Sequence, residues 1–176
     1  MRKAIFLVLF LSIVAAPSTA QTSAGKSTER PLVFGSYESF EKPLRLPDDV
    51  LDLLLADVSR DQYFQAALQE HPQKDRNNYF SAAKVHLADL SETDYVIEGN
   101  LPLAGADHGW FWVVRAKTAD KPAIVLFDGT TELELLQSRH GGFRDIRTVW
   151  SMGPSHIEEY FQFNGVNYVL AKKVER

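Results

Sequence analysis

Tyr160-Phe161-Gln162-Phe163-Asn164-Gly165-Val166-Asn167-Tyr168-Val169 is the stretch that decides the fold. Aromatic and β-branched residues flank an Asn-Gly pair, whose two residues tolerate the positive φ that a tight hairpin turn demands. Working outward, strand-like runs recur over about 79–88, 94–99, 109–116, 122–128, 131–138, 143–151, 156–163 and 166–173. Asp128-Gly129 reads as a second hairpin joint, between Ile124-Val125-Leu126-Phe127 and Leu133-Glu134-Leu135. No helical segment interrupts these runs, so consecutive strands are expected to pair as an antiparallel meander.

Helical periodicity appears only before the strands. Pro47 suits a first turn, Asp48 and Asp49 favour the positive end of the helix dipole, and Val50, Leu51, Leu54 and Leu55 form an apolar stripe. A second segment, Asp61 to Glu70, carries Tyr63, Phe64, Ala67 and Leu68 at similar spacing and stops before Pro72. The fold class expected is α+β: two short N-terminal helices on a curved, mainly antiparallel sheet of about seven or eight strands.

Residues 1–20 read as a signal peptide. Met1-Arg2-Lys3 is a positive start, Ala4 to Ala16 is apolar with one Ser, and Ser18-Thr19-Ala20 offers small residues before Gln21. The run from Ala4 ends at Pro17, short of the roughly 20 apolar residues a spanning helix needs. Residues 21–30 are polar enough to read as a disordered tether, leaving 31–176 as a single α+β domain. A secreted or periplasmic location is therefore expected, with no membrane insertion after cleavage.

Losing Arg2 and Lys3 takes the formal net charge from -4 to -6, which offers no basic footprint for nucleic acid. The chain has no Cys, which excludes disulfides, thiol nucleophiles and thiolate metal sites. Ala24-Gly25-Lys26-Ser27-Thr28 imitates the end of a phosphate loop, but position 20 is Ala and no strand precedes it.

Trp110-Phe111-Trp112-Val113-Val114 is apolar on both strand faces. One face must be core. The other is read as covered by the helices, the alternative being an exposed aromatic platform that Trp150 could join. Candidate binding residues are thus Trp110, Trp112 and Trp150, with His108 from the Ala104–Gly109 loop. Arg144 joins them as an anion contact, although its charged neighbours around Gly141-Gly142 fit a paired strand start better.

Asp89-Leu90-Ser91-Glu92-Thr93-Asp94-Tyr95-Val96 is similar to the Asp-rich calcium loops of secreted bacterial β proteins. It is shorter and lacks both glycines and the central Asp. Asp89, Ser91 and Asp94 supply three oxygen ligands, against the six to eight typical of Ca²⁺, so calcium stands beside an ordinary polar turn. Gly142-Phe143-Arg144-Asp145-Ile146 and Tyr160 to Tyr168 extend the likeness over about residues 79 to 170. On these segments the chain resembles small, uncharacterised exported bacterial proteins of β-rich fold. The resemblance implies a compartment and a fold, and carries no catalytic residue with it.

Catalytic signatures are sparse. His71, His86, His108, His140 and His156 match no compact zinc spacing, and the best local pair is His156 with Glu158. Glu132 and Glu134 alternate with Leu133 and Leu135 as on a half-exposed strand. No Gly-x-Ser-x-Gly elbow is present. The leading expectation is a non-enzymatic binding protein for an envelope or extracellular protein, such as an inhibitor or immunity-type partner of a cell-envelope enzyme. Two alternatives are an envelope hydrolase acting on glycan, and a carbohydrate-binding module. The module requires at least one of the three tryptophans to face solvent.

Overall fold

The structure, a computed structural model, describes residues 31–36, 40, 44–105, 108–118 and 121–176. The expected leader and tether, and two residues of the 104–109 loop, lie outside them. Strand β1 (Leu32–Gly35) comes first, then helices α1 (Asp48–Val58) and α2 (Gln62–Glu70) and a short 3-10 turn at Arg76–Tyr79. Strands β2 (Phe80–Val85), β3 (Asp94–Gly99), β4 (Gly109–Thr118) and β5 (Lys121–Thr130) follow. The chain closes with β6 (Glu132–His140), β7 (Phe143–Met152), β8 (Ser155–Phe163) and β9 (Tyr168–Glu175).

The expected single meander is instead two antiparallel sheets. One has the order β2-β3-β4-β5 and the other β1-β6-β7-β8-β9. The break falls at Thr130–Glu132, where the Asp128-Gly129 hairpin was expected. Asp128 and Gly129 remain in β5, paired with Phe111 and Trp110, and the chain passes at once into the second sheet. Threonine hydroxyls hold this crossing. Thr131 sends both its N–H (2.9 Å) and its Oγ1 (2.6 Å) to the Val149 carbonyl of β7, which also receives Thr130 Oγ1 at 2.5 Å.

The helices are also not the first elements. Leu32-Val33-Phe34 forms an edge strand on β6, pairing Phe34 with Leu133 across a hundred residues of chain. Such a short run carries no alternation of its own, and its pairing is non-local.

Burial explains the layering. The helices cover one face of the four-stranded sheet, where Val50, Leu51, Leu54, Val58 and Phe64 meet Tyr95, Ile97, Trp112 and Val114. The opposite face sends Val96, Phe111 and Val113 against Leu133, Leu135 and Ile146 of the five-stranded sheet. Strand β3 is buried at every position because it lies between these two cores. The double-sided apolar run at 110–114 therefore marks the middle layer of three.

Local chemistry fits the elements. The Asp61 carboxylate caps α2 by accepting from the Tyr63 and Phe64 amides, at 2.7 and 3.3 Å. The β8–β9 connection is a four-residue loop rather than a two-residue turn. Asn164 Oδ1 accepts from the Val166 and Asn167 amides at 2.9 Å each, and Gly165 adopts φ 101°. Among the described residues, no helix is long and apolar enough to cross a membrane.

Candidate functional site

Edge strand β5 lies against β7, and the inner faces of β8 and β9 continue beside it. The space left between them is a cleft of about 230 Å³, lined by Asp128, Gly129, Thr130, Thr148, Trp150, Ile157, Glu159 and Lys173. Strand alternation delivers these side chains. Asp128 pairs with Phe111, whose ring belongs to the inter-sheet core, so Asp128 points toward the second sheet as Leu126 does two residues earlier. Thr148 and Trp150 share the inner face of β7, and their pairing partners Glu159 and Ile157 share that of β8.

Gly129 is required by its neighbour. A Cβ there would stand 2.7 Å from Cζ3 and 3.0 Å from Cε3 of Trp110, whose ring crosses the strand at this point. That ring is held by Phe127, stacked at 5.4 Å, and by His108, edge-on at 4.9 Å. The dipeptide that imitates a turn is thus one cleft-lining carboxylate followed by one packing glycine.

Burial pushes the Asp128 carboxyl above its ordinary range. The Thr148 hydroxyl donates to it and pulls the other way, the nearby Glu159 charge raises it further, and the Gly129 amide and His108 oppose that rise. Lys173 Nζ lies 3.4 Å from both Glu159 Oε1 and Glu175 Oε1, so its charge is shared between two carboxylates. The cleft can offer hydrogen-bond acceptors, the hydroxyls of Thr130 and Thr148, a partly exposed indole, and two carboxyl groups against one ammonium.

The sequence-derived candidates scatter around this site. Trp150 lines the cleft and is partly exposed. Trp110 is partly buried beside α2, and His108 packs on it. Trp112 is wholly buried, with Nε1 donating to Asp57 Oδ2 at 3.0 Å, which removes it as a contact residue. Arg144 is also interior at 3% exposure, its Nε and Nη2 donating to the Leu136 and Leu135 carbonyls at 2.8 and 2.6 Å. There it satisfies carbonyls where the β6–β7 ladder slips register after Leu135, in place of the expected solvent-facing anion contact.

The calcium-type loop has a different organisation. Asp89 Oδ1 accepts from the Ser91 amide at 2.8 Å, while the buried Asp94 accepts from the Leu87 amide at 3.0 Å. Arg115 reaches Glu92 at 2.9 Å and Asp94 at 3.9 Å, with its guanidinium 4.6 Å above the Phe143 ring. An internal cation therefore faces the carboxylates of Glu92 and Asp94. Burial raises the Asp94 carboxyl above its usual range despite that partner. Among the described residues, no group of three or more His, Asp or Glu side chains is placed to hold a metal ion.

Two polar chains sit on the outer face of the five-stranded sheet, away from the cleft. His140 Nδ1 lies 2.7 Å from Asp145 Oδ1, and Ser138 Oγ donates to Asp145 Oδ2 at 2.6 Å. In the second, Ser151 Oγ is 3.1 Å from His156 Nδ1, and His156 Nε2 is 3.4 Å from Glu158. Tyr160 donates to Glu158 at 2.7 Å and holds that carboxyl below its usual range. In each chain the histidine is partly exposed while the carboxylate beneath it, Asp145 or Glu158, is buried.

Asp128, Glu159 and Lys173 were missed in the sequence. Asp128 reads as turn chemistry in the sequence, and Glu159 and Lys173 carry no motif that singles them out. The available signal was Asp128 falling in phase with Leu126, at an inward position. Comparison with protein-family models, curated proteins and solved structures finds no match to the chain.

Proposed function

We propose that this chain is an exported binding protein whose inter-sheet cleft takes a saccharide-type ligand. The observation that carries the reading is a partly exposed indole, Trp150, beside a carboxylate and a threonine in a bounded cleft. Aromatic faces pack on the apolar faces of sugar rings, and carboxylates and hydroxyls bond sugar hydroxyls. About 230 Å³ falls below the roughly 300–1,000 Å³ of drug-sized sites, which suits one ring of a longer glycan. Export rests on residues 1–20 and sets the ligand's compartment as the envelope or medium. The inhibitor form of the reading loses Trp112 and Arg144, both interior.

Calorimetric titration with neutral oligosaccharides tests the reading. Wild-type protein is expected to bind at least one with micromolar to millimolar affinity, and Trp150→Ala to lose that binding while keeping its fold. Equal binding by both proteins would move the site elsewhere.

The same cleft favours one other reading, glycan hydrolysis. Asp128, whose carboxyl burial raises above its ordinary range, would act as general acid and Glu159 as the second carboxylate. Release of reducing ends by wild type and none by Asp128→Asn would select it.

A further inference from the structure

The charges around the cleft do not balance. Asp128 and Glu159 both line it, and among the described residues Lys173 is the one basic group on its wall. Lys173 is engaged at 3.4 Å with Glu159 and equally with Glu175, which pairs with Ile157 across the same face. The donors to Asp128 are neutral, the Thr148 hydroxyl and the Gly129 amide, and the Glu159 charge repels it while His108 acts the other way. A neutral sugar hydroxyl would satisfy hydrogen bonds here and leave the excess negative charge uncompensated. A protonated amine would satisfy both, and an indole face beside the carboxylates attracts cations through its ring quadrupole.

Resting on the saccharide reading above, we infer that the preferred ligand is an amino sugar, its protonated amine seated among Asp128, Glu159 and the ring of Trp150. Asp128 is the selecting group, because Glu159 already has Lys173. Such a ligand relieves the like-charge repulsion across the cleft, so its binding weakens with ionic strength more than that of a neutral sugar. Acidic sugars meet two carboxylates and are rejected, since like-charge juxtaposition is costly in a partly desolvated cleft.

The test uses three oligosaccharides of equal length and linkage: a glucosamine trimer, its N-acetylated form and a uronic acid trimer. Each is titrated at a pH of about 6, below the sugar amine's titration and above the ordinary carboxylate range. The expected result is that the cationic trimer binds about tenfold or more tighter than the acetylated one, with the acidic trimer weakest. Asp128→Asn is expected to bring the first two within about threefold, with Glu159→Gln giving a smaller loss. Unchanged near-ultraviolet circular dichroism would show that the core around Trp112 is intact in both variants. Equal binding of cationic and acetylated trimers overturns the amine preference and leaves the saccharide reading standing. Binding of none of the three overturns both.

Discussion

Trp112 and Trp150 occupy strands of the two sheets and have opposite fates. Trp112 lies in the middle layer, wholly buried under the helices, and its one N–H is spent on Asp57. Trp150 lies where β5 ends against β7, beyond the cover of that layer, and keeps part of its ring on the cleft. The difference is made by what stands opposite. Helices α1 and α2 present Leu54, Val58 and Phe64 to one face, whereas β5 presents Asp128, Gly129 and Thr130 to the other. Apolar partners close a space, and polar partners under a sheet edge leave one open.

Breaking that contrast gives its largest effect at the buried ring. Trp112→Ala should lose about 3–5 kcal/mol in urea unfolding, from the cavity left behind and the lost hydrogen bond to Asp57. Arg144→Ala should cost about 2–3 kcal/mol by leaving the Leu135 and Leu136 carbonyls unpaired in the interior. A loss no larger than that of an exposed arginine would contradict its structural role. Gly129→Ala should cost about 1–3 kcal/mol as the Trp110 ring is driven from its stack, with the indole environment changed in near-ultraviolet circular dichroism.

Asp128→Asn runs the other way. Because the folded state raises this carboxyl's pKa, ionising it destabilises the fold as pH rises through that raised value. The variant should therefore melt higher than wild type at neutral pH. That advantage should vanish below the ordinary carboxylate pKa, where both side chains are neutral. A melting point lowered at neutral pH would mean that the carboxylate is structural. The smallest stability effect belongs to Trp150→Ala, within about 1 kcal/mol, and it is paired with loss of ligand binding.

Much of the fold was legible where local pattern and tertiary role agree. The Asn164-Gly165 segment forms its hairpin, and the Asp61 to Glu70 stripe forms a helix capped by Asp61. The double-sided run at 110–114 correctly implied cover on two faces. Division into two sheets was not legible, because Asp128-Gly129 has turn composition for reasons unrelated to turning. Gly129 makes room for Trp110, and Asp128 faces the cleft. Strand β1 escaped notice because its partner β6 is remote in sequence. At the site, only Trp150 was anticipated. Glu159 and Lys173 look like ordinary members of exposed alternating strands until β5 is placed over one end of their sheet.

The most direct test follows the three indole N–H resonances during titration with the glucosamine trimer. The account predicts a saturable shift of the Trp150 signal up to about 10 mM ligand, a smaller response at Trp110 and none at Trp112. A titration that leaves Trp150 unmoved, or moves Trp110 alone, would contradict the cleft as the binding site.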